Sequence, residues 1–161
     1  MIWGETMPDN SRLYIPALGG IYQSLSSYAE LLLRGGLGVI LIVHALQKFL
    51  SWFGGSGMGV LIGLLQKFGY PMPTELGYFL AILELFCGIF FLIGFLVRPA
   101  AFLFAIFMLF GIHYTANTGA HPFVWFKGGS ELSIVFFLIA AYFTINGAGP
   151  ISLDRKIGRE F

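Results

Sequence analysis

Residues 76–97 read LGYFLAILELFCGIFFLIGFLV, an apolar stretch long enough to cross a bilayer, and Glu84 is its only charge. A lone ionised carboxylate in hydrocarbon costs several kcal/mol, so such a residue faces a bundle interior and a partner. Glu84 therefore demands neighbouring helices that supply that partner. Of the 161 residues, 57% are hydrophobic and 11% charged. A water-soluble domain carries about 25% charged residues, so lipid is the solvent of this chain. A net charge of +1 argues against nucleic acid as a partner, which requires a strongly basic face.

Four apolar segments, at residues 29–53, 76–97, 100–117 and 132–145, approach the length of about 20 residues that a spanning helix needs. Residues 58–68 are apolar but only about half that length, and read as an interfacial or re-entrant helix. The expected fold is all-α: an integral membrane four-helix bundle with an extra short helix between the first two spans. The expected division is an interfacial, cytoplasmic segment at 1–28, the transmembrane domain at 29–147 and a cytoplasmic tail at 148–161 that leaves the membrane. Arg98-Pro99 marks a tight turn between the second and third spans, since proline suits a helix start. An even number of spans puts Arg12, Arg34, Arg98, Arg155, Lys156 and Arg159 on one side and Lys48, Lys67 and Lys127 on the other. Six against three places both termini in the cytoplasm. Phe123, Trp125 and Phe126 suit an outer headgroup belt.

Helical phase then selects faces. At about 100° per residue, Arg34, His44 and Lys48 fall within about 80°, with Gly38 and Ala45 alongside. Gly77, Ala81, Glu84 and Gly88 lie within about 60° on the next span. Both faces are small and polar, which favours close helix contact in lipid. His44 and Glu84 both lie about 12 Å below the outer boundary. His113 and Asn117 share a face near the outer end of the third span, and Glu131 opens the fourth. The candidate cluster is thus Glu84, His44, Lys48, His113, Asn117 and Glu131.

Two readings of that cluster stand side by side. It is either a network that holds helices together, or a ligand, proton or quinone head-group site. Arg34, near the inner boundary, reads as a snorkelling anchor. His121 precedes Pro122 in an outer loop and reads as an ordinary loop residue. No His-x3-His or Cys-x2-Cys spacing supports a metal. The single cysteine, Cys87, excludes an intramolecular disulfide and reads as a packing residue. GGSGMG at 54–59 lacks the strand-loop-helix context of a phosphate loop. No haem or flavin pattern is evident, so no intrinsic cofactor is expected, and any electrons must travel on a partner or a bound quinone.

Several motifs, taken in order, resemble one family. Arg34-Gly35-Gly36-Leu37-Gly38 followed by His44 and Lys48, then Glu84 with Gly88 and Gly94, then Arg98-Pro99-Ala100-Ala101, are similar to the DoxX family of small bacterial membrane proteins. Gly128-Gly129-Ser130-Glu131 and the closing GAGPISLD, similar to a Gly-x-Gly-x-x-Ser-x-Asp ending, extend the resemblance across residues 30–154. The resemblance implies a four-helix inner-membrane bundle. The family takes its name from a membrane subunit of a thiosulfate:quinone oxidoreductase, and other relatives are associated with thiol and oxidative-stress complexes. The expected function is a subunit of a redox-linked membrane complex that binds a small lipophilic molecule such as a quinone in the outer half of the bundle. There Glu84 would accept or relay a proton, His44 and His113 would hydrogen-bond, and Lys48 would hold the carboxylate. The alternative is a non-catalytic accessory or assembly protein with a structural polar network. Expected partners are the lipid bilayer and a redox protein, and oligomerisation is compatible with either reading.

Overall fold

The computed structural model describes residues 13–118, 123–124 and 127–159, without the side chains of 117 and 118. Among the described residues six α-helices follow one another: α1 (Gly19–Phe49), α2 (Met58–Lys67), α3 (Pro73–Ile93), α4 (Val97–Thr118), α5 (Glu131–Asn146) and the short α6 (Leu153–Ile157). Three of them, α1, α3 and α4, are long and apolar enough to span a membrane, and α5 is a shorter apolar helix. The expected all-helical membrane bundle is therefore the fold observed, with α2 as the predicted short helix. His121, Trp125, Phe126 and Arg12 lie outside the described residues.

Helix ends follow local chemistry. Proline opens α3 at its first position, where a missing N–H is harmless. Gly94 ends α3 at φ +73°, a left-handed conformation that glycine adopts without strain, and its N–H donates to Phe90 O. The reversal thus occurs at residues 94–96, earlier than the predicted Arg98-Pro99 turn. Pro99 instead sits in the first turn of α4, among backbone N–H groups that have no helical acceptor. The first helix also starts at Gly19, well before residue 29, so the expected division at 28/29 falls inside α1. The added stretch carries Ile21, Tyr22, Leu25, Tyr28 and Leu32 on exposed turns of a continuous helix.

The bundle is built from two pairs. α1 packs along α3, α4 packs along α5, and α3 bridges to α4. In lipid the hydrophobic effect does not pull helices together, so close contact at small residues must do so. The α1–α3 pair shows this directly. A Cβ on Gly38 would lie 2.7 Å from Leu92 N and 2.8 Å from Gly88 O. A Cβ on Gly88 would meet Gly38 O at 3.0 Å. Gly38 and Gly88 are thus the crossing point, with Ala45 and Ala81 fully buried on the same faces. Where the two pairs meet, Phe91, Phe104 and Phe143 are completely buried. Their rings pack edge to face, Phe91 at 6.3 Å from Phe104 and 5.8 Å from Phe143. Cys87 lies in this core, and its thiol faces Ala100 O at 3.5 Å. Outward, Phe79, Phe86, Phe102, Phe110 and Leu138 are exposed, as lipid-facing side chains should be.

Candidate functional site

Lys48 lies in the last turn of α1, and Glu84 stands mid-way along α3. Because the two helices touch at Gly38 and Gly88, the faces carrying Lys48 and Glu84 are held against each other. Lys48 Nζ donates to Glu84 Oε2 in a direct ion pair. A second donor of the same ammonium bonds His44 O at 3.2 Å. Glu84 is buried, while the Lys48 side chain keeps 20% of its surface exposed. An ammonium has three donors, so one remains for whatever lies on its open side.

That open side is a cleft of about 310 Å³ between the end of α1 and α2. Its lining includes His44, Gln47 and Lys48 of α1 and Gly54 to Gly57 of the connecting loop. Glu84 does not line it; the carboxylate sits behind Lys48. The loop is tightly fitted. A Cβ on Gly55 would strike the Gln47 backbone at 2.4 Å, Gln47 Nε2 donates to Phe53 O at 3.2 Å, and Gly57 takes φ +75°. The glycines that resemble a phosphate loop thus form a cleft wall, which sequence reasoning missed. The signal was their position directly after Lys48.

The remaining predicted residues belong to the other helix pair. His113 is exposed on α4, and Glu131 is half-buried at the first position of α5, where its N–H donates to Phe123 O at 2.9 Å. The Asn117 side chain lies outside the described residues. Among the described residues, no three His, Cys, Asp or Glu side chains cluster as a metal site would require.

A second polar centre occupies the opposite end. Arg34 is only 1% exposed, and its Nη2 donates to Ile151 O at 2.7 Å. Asp154, also buried, accepts from Leu96 N at 2.9 Å and Val97 N at 3.2 Å, capping the start of α4. The Asp154 N–H returns a bond to Gly94 O at 2.9 Å. Tyr142 donates to Glu30 Oε1 at 3.0 Å nearby. Arg34 is therefore a buried clamp for the C-terminal segment, not a snorkelling anchor. The tail, expected to leave the membrane, packs against Arg34 in the middle of α1 and against the turn between α3 and α4. Gly94 makes room: a Cβ there would overlap Arg34 Nη1. The helical phase had already placed Arg34 on the same arc as His44 and Lys48, which pointed inward.

These features define a small helical membrane protein with a charged pair at one end and a clamped tail at the other. The family profile described as DoxX matches residues 29–118, and the chain belongs to the DoxX family. It is 32% identical over 125 residues to a Bacillus subtilis protein named "Putative oxidoreductase CatD", covering 77% of this chain and 83% of that one. It is 28% identical over 133 residues to inner membrane protein YphA of Escherichia coli, covering 78% and 88%. It is also 29% identical over 129 residues to an uncharacterised Haemophilus influenzae protein, covering 77% and 87%. No solved structure matches the chain.

Proposed function

We propose that this DoxX-family membrane protein is the bilayer-embedded subunit of a redox-linked assembly, and that its Lys48 cleft binds the head of a small lipophilic carbonyl compound of the quinone class. The observation that carries this reading is the position of Lys48, which touches a buried carboxylate on one side and an open cleft of about 310 Å³ on the other. That volume falls at the lower end of the range for small-molecule sites. Lys48 Nζ would donate to a ring oxygen, and the His44 imidazole would provide a second polar contact. Glu84 would hold Lys48 in place and serve as a proton reservoir behind it, not as a direct contact. Electrons would come from a partner protein. The name of CatD supports an oxidoreductase setting, and that of YphA supports the inner membrane. With both termini in the cytoplasm, as the lysine and arginine balance favours, the cleft opens in the outer half of the bundle.

Binding of a short-chain ubiquinone analogue to the full chain in nanodiscs tests this. A charge-assisted hydrogen bond is worth about 1.5–3 kcal/mol, so Lys48→Met is expected to weaken binding by about tenfold or more. Glu84→Gln, which leaves Lys48 less firmly held, should weaken it by a smaller factor. Unchanged affinity in both variants would sink the assignment. Equal retention of an alkyl chain without the ring would point to the accessory role instead.

A further inference from the structure

The five residues of α6 face three directions. Asp154 points into the bundle and caps α4. Leu153 and Ile157, four residues apart and so on one helical face, are both exposed apolar side chains. Arg155 and Lys156 are exposed, as is Arg159 just beyond the helix. In the sequence after Asp154 these three cations stand against one carboxylate, Glu160. The helix cannot turn to hide either surface. Arg34 holds Ile151 O, Asp154 is bonded on both its side chain and its N–H, and Ser152 Oγ accepts from Arg155 N at 3.2 Å.

Its depth is fixed as well. The groups that hold Asp154 are Gly94 O, Leu96 N and Val97 N, which form the turn between two membrane-spanning helices. α6 therefore lies level with the ends of the spans, at the boundary of hydrocarbon and headgroups. An exposed apolar pair beside three cations at that depth has the composition of an interfacial lipid contact.

We propose that α6 is a rigid docking foot for anionic phospholipid headgroups: Leu153 and Ile157 enter the headgroup boundary, and Arg155, Lys156 and Arg159 hold lipid phosphates. The Arg34–Ile151 and Asp154 contacts couple the bound lipid to the start of α4. This surface lies at the opposite end from the Lys48 cleft, and the proposal does not depend on what the cleft binds.

The test uses the full chain in nanodiscs of phosphatidylcholine mixed with phosphatidylglycerol, with native mass spectrometry counting the lipids retained on release. The wild type should retain phosphatidylglycerol preferentially, and less of it as salt rises. Each basic residue near an anionic surface contributes about fivefold. Replacing all three (Arg155→Gln, Lys156→Gln, Arg159→Gln) should therefore reduce the preference by about a hundredfold. Lys67→Gln, at the other end, should leave it unchanged. Leu153→Ser with Ile157→Ser keeps the cations and should lower retention of both lipids. The proposal fails if the triple variant keeps the preference, if Lys67→Gln lowers it equally, or if inorganic phosphate displaces the lipid. Loss of preference only when a soluble partner protein is co-purified would assign the surface to that partner instead.

Discussion

Alanine at position 38 pits two opposing effects against each other. Glycine within a helix is worse than alanine by about 1 kcal/mol, so Gly38→Ala gains that much from propensity. The new methyl, however, would stand 2.7 Å from Leu92 N, 2.8 Å from Gly88 O and 3.1 Å from Leu92 Cα. All three are backbone atoms, so no side chain can rotate away. Ordinary contact begins near 3.5 Å, so α1 and α3 must part by about 0.8 Å at the crossing. A gap of that size forfeits about a quarter to a half of each dispersion contact beside it. Overpacking of this kind costs about 1–3 kcal/mol. With contacts this short to rigid backbone the clash wins, and Gly38→Ala should destabilise the protein by up to about 2 kcal/mol net. Gly36 provides the control, since it is exposed on the same helix and a Cβ there would meet nothing within 4 Å. Gly36→Ala should therefore stabilise by up to about 1 kcal/mol. Reversible unfolding in mixed dodecyl maltoside and dodecyl sulfate micelles, followed by circular dichroism, measures both. If the two variants shift stability in the same direction by similar amounts, Gly38 is not the contact that sets the helix pair.

Two further outcomes follow from the polar contacts. Lys48→Met strands Glu84 and should cost about 2–3 kcal/mol, below the range for a fully buried pair because Lys48 reaches the cleft; combined with Glu84→Gln it should recover most of that loss, and strict additivity in the double-mutant cycle would show that the pair is not coupled. Asp154→Asn keeps one acceptor but loses the charge that serves Leu96 N and Val97 N, so stability should fall by about 1 kcal/mol and the tail should become more sensitive to protease; an unchanged cleavage rate would contradict its capping role.

The membrane class and the α1–α3 contact were legible because both rest on local pattern. Hydropathy sets span length, and the 100° helical step puts Gly38, Gly88, Lys48 and Glu84 on facing stripes. Depth matched His44 to Glu84, with Lys48 one turn above, whereas the ion pair is made by the longer Lys48 side chain. The tail clamp was not legible in the same way, since Arg34 and Ile151 are 117 residues apart. Nothing local in GAGPISLD announces a return to the bundle. Charge near a span end suggested snorkelling for Arg34, and only its phase disagreed. The chain reversal was misplaced for a simpler reason: Pro99 is the louder local signal, but the left-handed backbone falls on Gly94. The cleft wall depends on how residues 50–57 wrap back over Gln47, a contact between a loop and its own helix that periodicity does not encode.

The unequal lengths of α1 and α5 give the bundle a thick side and a thin side. At 1.5 Å per residue, the 31 residues of α1 extend about 46 Å and the 16 residues of α5 about 24 Å. Hydrocarbon is about 30 Å thick, so α1 overshoots it and α5 falls short. A helix that is too long tilts or projects, whereas one that is too short draws the two leaflets together or recruits protein beside it. The membrane around this protein is thus asymmetric in the plane. Hydrophobic matching would thin the bilayer against the α5 flank relative to that along α1.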